Sequence, residues 1–287
     1  MGKVFEVRDL RFRYPKGAKD VINGISFAVE EGTVFGLLGP SGAGKSTTQR
    51  ILTKILSNYQ GEIKYWGKDL SAFSKAFYED VGVGFEMPVH FNKLSAQENL
   101  DYFASLYKRN IDYRELLTRF GLFEARKQMV GEFSKGMKVR LNFIRALLND
   151  PQVLFLDEPT AGLDPKNAKI IKDAILEYKR AGKTIFITTH LMGDVEQLCD
   201  TVVFMNNGVI TETSTVRDLK LKYGKKELNI EYHEAGKLTA RSFPLGGIGK
   251  NREFLDLIAT KELETIHSGE TTLEDIFIKV TGESEHD

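Results

Sequence analysis

Apolar residues along the chain change period several times, and each change marks a different kind of element. Near the N-terminus they alternate with polar ones. Phe5 and Val7, then Leu10, Phe12 and Tyr14, each skip one position, and Ile25, Phe27 and Val29 do the same against Ser26, Ala28 and Glu30. Period two predicts antiparallel strands with one buried face. The stretch from Gly61 to Gly67 reads as another strand of that small sheet. Three shorter runs, Val34 to Leu38, Val153 to Leu156 and Thr184 to Thr188, are apolar without alternation. Strands buried on both faces have this texture. From about Phe91 to Asn149 the spacing turns helical, as in Leu100, Phe103, Ala104 and Tyr107, and again in Leu141, Ile144, Leu147 and Leu148. Val202 to Met205 and Val209 to Thr213 flank Asn207-Gly208, a strong hairpin signal. Beyond about Thr215 the pattern shortens. Leu228, Ile230 and Tyr232 alternate, and Thr271 with Glu274 predicts a capping box ahead of a helix face of Leu273, Ile276, Phe277 and Val280. The expected organisation is a domain over 1–214 with a helical insert at about 88–150, and a small α+β segment over 215–287.

One apolar strand leads directly into a chemical motif. After Val34 to Leu38 comes Gly39-Pro40-Ser41-Gly42-Ala43-Gly44-Lys45-Ser46-Thr47, which fits the phosphate-cradling pattern G-x-x-x-x-G-K-[ST]. A helix from Thr48 to Ser57 is expected behind it, with Ile51, Leu52, Ile55 and Leu56 on its inner side. Glycine lets backbone N–H groups close around phosphate oxygens, and the helix N-terminus adds unpaired donors and partial positive charge. Lys45 would face the β- and γ-phosphates, and the Ser46 hydroxyl would ligate Mg²⁺. A second strand, Val153 to Leu156, runs into Asp157-Glu158. In a parallel sheet, ligands sit beyond the carboxyl ends of strands. Asp157 would therefore reach the phosphate loop and hold Mg²⁺ through water, and Glu158 could polarise the water that attacks the γ-phosphate. Ser134, ahead of a helix expected from Lys138 to Leu148, reads by itself as a helix N-cap.

Composition narrows the setting. Lysine plus arginine and aspartate plus glutamate number 40 each. This balance gives no electrostatic footprint for nucleic acid or for an anionic membrane surface. A length of 287 residues allows one or two domains with a sizeable core. The single cysteine, Cys199, suits a reducing compartment and reads as a small core residue. No apolar run reaches the length of a membrane span. Met1-Gly2-Lys3-Val4-Phe5-Glu6 reads neither as a signal peptide nor as a myristoylation site, and no internal repeat or low-complexity tract is visible.

The motifs taken in order resemble those of ABC-type ATPase subunits. The phosphate loop is followed by Phe133-Ser134-Lys135-Gly136-Met137, then Leu156-Asp157-Glu158-Pro159, then Ala161-Gly162-Leu163-Asp164-Pro165, then His190 at a strand end. Tyr14 stands where that family places its adenine-stacking aromatic. The resemblance runs from about Val4 to Thr213. It implies an α/β fold with a P-loop NTPase core and a parallel-rich mixed sheet, an antiparallel side sheet, a helical subdomain insert and a small C-terminal α+β extension. It also implies ATP and Mg²⁺ as cofactors and a head-to-tail dimer with a second copy or a homologous subunit. Ser134 and the Gly136 N–H would close over the γ-phosphate held by the other copy's Lys45, Asp164 would line the interface as well as cap a helix, and His190 would sense the γ-phosphate. A separate transmembrane permease would dock in the groove near Glu86 to Tyr107 and hold the subunit at the cytoplasmic face of the membrane.

Two departures stand out. The usual Leu-Ser-Gly-Gly-Gln is replaced by Phe133 to Met137, a Ser-Lys-Gly-Met form similar to that of drug- and polysaccharide-exporter subunits. The segment from Thr272 to Gly282 resembles the ending of exporter subunits too. Within Val81 to Pro88, Glu86 stands where the family has glutamine. As a harder oxygen ligand it would contact Mg²⁺ or crowd it with charge, or else it faces solvent. The expected function is ATP hydrolysis driving export. The alternatives are a soluble ABC ATPase in assembly, such as iron-sulfur cluster building, and a weakly hydrolysing, nucleotide-gated clamp.

Overall fold

The computed structural model describes residues 2–15, 17, 19–86, 89–109, 111–224, 226–234, 236–269 and 271–281. Met87, Pro88 and Gly282, which belong to segments quoted above, lie outside the described residues. The chain divides into two compact units, Met1–Thr215 and Val216–Asp287.

The first unit contains β1 (Lys3–Phe12), β2 (Ile22–Glu30), β3 (Val34–Leu38), α1 (Lys45–Leu52), β4 (Gln60–Tyr65), β5 (Lys68–Asp69), α2 (Phe77–Asp80) and β6 (Val81–Gly84). It continues with α3 (Ala96–Ala104), α4 (Arg114–Arg119), α5 (Lys135–Ala146), β7 (Val153–Asp157), α6 (Pro165–Arg180), β8 (Thr184–Thr189), α7 (Met192–Leu198), β9 (Thr201–Asn206) and β10 (Val209–Thr215). Strands β2-β1-β4-β5 form an antiparallel sheet. A second sheet has the order β10-β9-β3-β8-β7-β6 and is parallel from β9 to β6, with β10 antiparallel at its edge.

The unbroken apolar runs are strands of this second sheet, and their two faces serve two cores. Phe35, Phe155 and Phe186 face the antiparallel sheet, where they join Phe5 and Phe27. Ring centroids there lie 5.2–5.7 Å apart in the pairs Phe5–Phe155, Phe27–Phe35, Phe35–Phe186 and Phe155–Phe186. Aromatic pairs at such distances add to the apolar area they bury. Leu154, Leu156, Ile185 and Ile187 face the other way and pack against Leu141, Ile144 and Leu148 and against Ile171 and Ile175 of α6.

Three details depart from the sequence reading. The helix after the phosphate loop begins at Lys45 and ends at Leu52, short of Ser57. Lys54 has a left-handed backbone (φ 61°), its ammonium donates to the carbonyls of Leu70, at 3.0 Å, and Phe73, and Ile55 is exposed. The helix placed at Lys138–Leu148 starts three residues earlier, at Lys135, because Ser134 accepts from the Met137 N–H and caps it there. In the second unit the capping box is shifted by one residue. Thr272 and Asp275 exchange it, with Asp275 N–H donating to Thr272 Oγ1 at 3.1 Å and Thr272 N–H to Asp275 Oδ2 at 3.2 Å.

That second unit holds α8 (Val216–Tyr223), β11 (Glu227–Glu234), β12 (Lys237–Pro244), α9 (Arg252–Thr260), β13 (Glu262–Ser268) and α10 (Leu273–Thr281). Its antiparallel sheet has the order β12-β11-β13, and Ile230, Tyr232, Phe243 and Leu257 form a small core of their own.

Close packing of α5 on the sheet depends on Gly82 in β6. A Cβ there would lie 2.0 Å from the Ala146 carbonyl oxygen and 2.9 Å from Pro151. Overpacking a tight core typically costs about 1–3 kcal/mol. Gly82→Ala is expected to lower unfolding stability by that amount in urea denaturation; an unchanged midpoint would show that α5 can retreat freely.

Candidate functional site

The phosphate loop joins β3 to α1, and its geometry follows from its sequence. Gly44, the residue before α1, has φ 107°, a conformation that disfavours any side chain. No side chain caps α1, so its first N–H groups remain available to an anion. Lys45 curls back over the loop, donating to the carbonyls of Gly39 at 2.6 Å and Pro40 at 3.0 Å. Burial lowers its pKa, against the opposing pull of Glu158, Asp157 and Glu86. Thr47 is buried, and its hydroxyl lies 3.2 Å from the Tyr14 hydroxyl. The half-buried Tyr14 ring rests edge-on against Phe12, 4.9 Å between centroids.

Strand register brings the acids to this loop. Leu38 pairs with Thr189, Thr188 with Asp157, and Leu156 with Gly84, so the carboxyl ends of β3, β8, β7 and β6 lie level. Ser46 Oγ lies 3.4 Å from Asp157 Oδ1. Glu158 leaves β7 with φ 48°, a strained conformation for a non-glycine residue, held by its N–H on the Thr188 carbonyl at 2.9 Å. Its buried carboxylate is fixed at both oxygens. Thr189 Oγ1 donates to Oε2 at 2.9 Å, while the His190 N–H at 3.1 Å and the His190 Nδ1 at 2.7 Å meet Oε1. A neutral His190 must carry its proton on Nδ1 to donate here, so an accepting Nε2 is left on an exposed ring.

Beside these acids lies a cavity of about 470 Å³. Glu86, Lys135, Asn142, Asp157 and Glu158 are among its walls. Glu86 is exposed. Helix α5 grips the segment that carries it. Asn142 donates to the Phe85 carbonyl at 2.8 Å and Arg145 to the Val89 carbonyl at 2.6 Å, while His90 Nε2 sits 3.2 Å from the Lys138 carbonyl. Burial, reinforced by Arg145, pushes the His90 pKa down to about 4.

The remaining residues singled out from sequence make local contacts. Ser134 caps α5 and is exposed, and Gly136 is next to Leu163. Asp164 caps α6 by accepting from the Asn167 N–H at 3.1 Å, with Pro165 at the first helical position. The Asn167 side chain and backbone hold the Asp164 carboxyl below its usual range. Thr188, Thr189, Asn142 and Arg145 were not singled out from sequence. Only the threonines carried a usable signal, as polar residues ending an apolar strand.

Ser46 and Asp157 offer a hydroxyl and a carboxylate side by side, a hard-oxygen pair suited to Mg²⁺. Among the described residues no group of three or more His, Cys, Asp or Glu side chains could form a cage. Hydrogen bonds to charged groups are worth about 1.5–3 kcal/mol. Lys45→Ala should therefore weaken ATP binding roughly tenfold to a hundredfold by calorimetry, and an unchanged dissociation constant would remove Lys45 from the site.

Comparison with known proteins agrees with this geometry. Residues 22–161 match the family described as ABC transporter, and residues 226–270 match the fluoroquinolone efflux ABC transporter C-terminal domain. A fluoroquinolones export ATP-binding protein of Mycobacterium tuberculosis is 44% identical over 282 residues, covering 98% of this chain and 94% of that protein. A daunorubicin resistance ATP-binding protein of Streptomyces coeruleorubidus is 30% identical, with 93% of each chain covered. A solved ATP-binding subunit of an ABC transporter superposes with a TM-score of 0.70 at 30% identity, over 77% of this chain and 93% of that one. With the phosphate loop, the paired acids and the strand-end histidine level on one sheet edge, the chain belongs to the ATP-binding subunits of ABC transporters, enzymes that hydrolyse ATP.

Proposed function

We propose that this subunit powers export of drug-like small molecules through a separate membrane permease at the cytoplasmic face. The fluoroquinolone-export and daunorubicin-resistance relatives support the direction and the class of cargo. No helix among the described residues is long and apolar enough to cross a membrane, so the pathway would belong to the partner. Val89, Phe91, Tyr102 and Leu106 are exposed apolar residues at the insert and offer a face for a coupling helix of that permease.

The observation that carries the chemical reading is the Glu158 carboxylate, buried, strained in backbone and held by Thr189 and His190 beside Ser46 and Asp157. Lys45 and the loop N–H groups would bind and orient the triphosphate, with Tyr14 against the adenine. Ser46 and Asp157 would hold Mg²⁺, which when bound neutralises charge on the β- and γ-oxygens. Glu158 would accept the proton of the attacking water, and His190 would donate to a γ-phosphate oxygen from Nε2 when that nitrogen carries a proton. Glu86, on the cavity wall, is the residue that would add a further carboxylate near the metal. In this reading the site is incomplete in one copy. Ser134 and Gly136 at the start of α5 would close over the phosphate bound by a second, head-to-tail copy, and Asp164 would line the seam.

Loss of a proton-accepting group typically lowers a rate by 10²–10⁴-fold, or about 3–5 kcal/mol of barrier. Glu158→Gln should show that loss in steady-state ATPase assays while its ATP affinity stays within a few-fold of wild type. Near-normal turnover would rule out Glu158 as the base.

A further inference from the structure

Gln49 lies one turn along α1 from Lys45 and is buried to 1% exposure. Its Oε1 is 3.1 Å from Thr188 Oγ1, and its Nε2 is buried without a partner. Thr188 Oγ1 also meets Asp157 Oδ1, and lies 3.5 Å from the Leu156 carbonyl. Thr188 is itself fully buried. A hydroxyl has one proton to give, whereas Gln49 Oε1 and Asp157 Oδ1 both only accept. In this arrangement one of the two contacts sets lone pair against lone pair, and an amide NH₂ is stranded.

Rotating the Gln49 amide by half a turn removes both faults, since its oxygen and nitrogen occupy nearly equivalent positions. Nε2 then donates to Thr188 Oγ1, and Thr188 gives its own proton to Asp157 Oδ1. The atom left unpaired becomes a carbonyl-type oxygen, a less demanding group to bury than a donor.

We propose that Gln49 and Thr188 form a directional hydrogen-bond relay that fixes the Asp157 carboxylate beside Ser46 and so sets how tightly the subunit holds nucleotide-bound Mg²⁺. Both are positioning residues, acting through Asp157. With Thr188 committed to Oδ1, that oxygen is satisfied from within the protein, and the 3.4 Å contact to Ser46 is weak enough for the serine hydroxyl to turn to a metal ion. Outer-shell partners of this kind tune metal affinity by roughly 10–100-fold. The inference rests on the reading of Asp157 as the metal-holding acid.

The test is calorimetric binding of a non-hydrolysable ATP analogue to the full chain, first in EDTA and then across a Mg²⁺ titration. Binding in EDTA reports an intact loop and fold. Thr188→Val, which keeps the shape and removes the hydroxyl, is expected to raise the Mg²⁺ midpoint about tenfold. Gln49→Met should move it several-fold in the same direction, by the smaller loss of a more distant partner. Thr188→Ser should restore the wild-type midpoint, and all three should bind the analogue in EDTA as wild type does. Asp157→Asn serves as the reference for a lost metal acid. If Asp157→Asn shifts the midpoint while Thr188→Val and Gln49→Met superimpose on wild type, the relay is wrong. If Asp157→Asn leaves the midpoint in place, the metal assignment beneath it falls as well.

Discussion

Parallel pairing of β3, β8, β7 and β6 sends the carboxyl ends of these four strands to one edge of the sheet, and the site depends on that constraint. Each strand delivers a different group to the edge. β3 delivers the phosphate loop, β7 delivers Asp157 and Glu158, β8 delivers His190, and β6 leads to Glu86. Residues far apart in sequence become neighbours because register fixes Thr188 against Asp157 and Leu38 against Thr189. A register slip of one residue would turn every side chain of a strand to the opposite face. Phe155 would then enter the helical core and Leu154 the aromatic one. The two-sided core is therefore also what holds the acids at the level of the phosphate loop.

Rigidity at that edge comes from hydrogen bonds to charged groups in a buried setting, where they are stronger than in water. Glu158 leaves its strand in a strained conformation, which persists because Thr188, Thr189 and His190 all bond to it. Lys45 is held by the Gly39 and Pro40 carbonyls of its own loop. Helix α5 links two regions. Its first turn carries Ser134 and Gly136, and its later turns grip the carbonyls of Phe85 and Val89 on either side of Glu86. Asn142 and Arg145 thus tie α5 to the backbone on either side of Glu86.

Much of this was legible in the sequence because its signals are local. Glycine turns, an apolar run ending in acids and a change of hydrophobic period need only neighbouring residues, and they anticipated the buried strands, the turn between β3 and α1 and the helices between β6 and β7. Helix boundaries depend on distant partners and were less legible. Lys54, left-handed just past the end of α1, reaches the Leu70 and Phe73 carbonyls, and nothing near Lys54 in the chain announces these partners. The capping box of α10 uses Thr272 and Asp275 where Thr271 and Glu274 offered the same spacing one residue earlier. The pairing of Gln49 with Thr188 was invisible for a stronger reason. They are 139 positions apart, and a glutamine inside a helix carries no mark of the strand it will face.

The central claim is that one copy's phosphate loop is completed by another copy's Ser134. Mixing two defective subunits, each also carrying Glu158→Gln to prevent turnover, tests it most directly. Lys45→Ala weakens nucleotide binding but keeps Ser134, so ATP is held at a concentration that saturates the parent and not this variant, and Ser134→Arg keeps nucleotide binding but blocks the seam. Analytical ultracentrifugation with ATP and Mg²⁺ should find each variant monomeric alone and a dimer only in the mixture, since only the mixed pair contains one complete site. If the mixture remains monomeric while the Glu158→Gln parent dimerises, the composite site is contradicted.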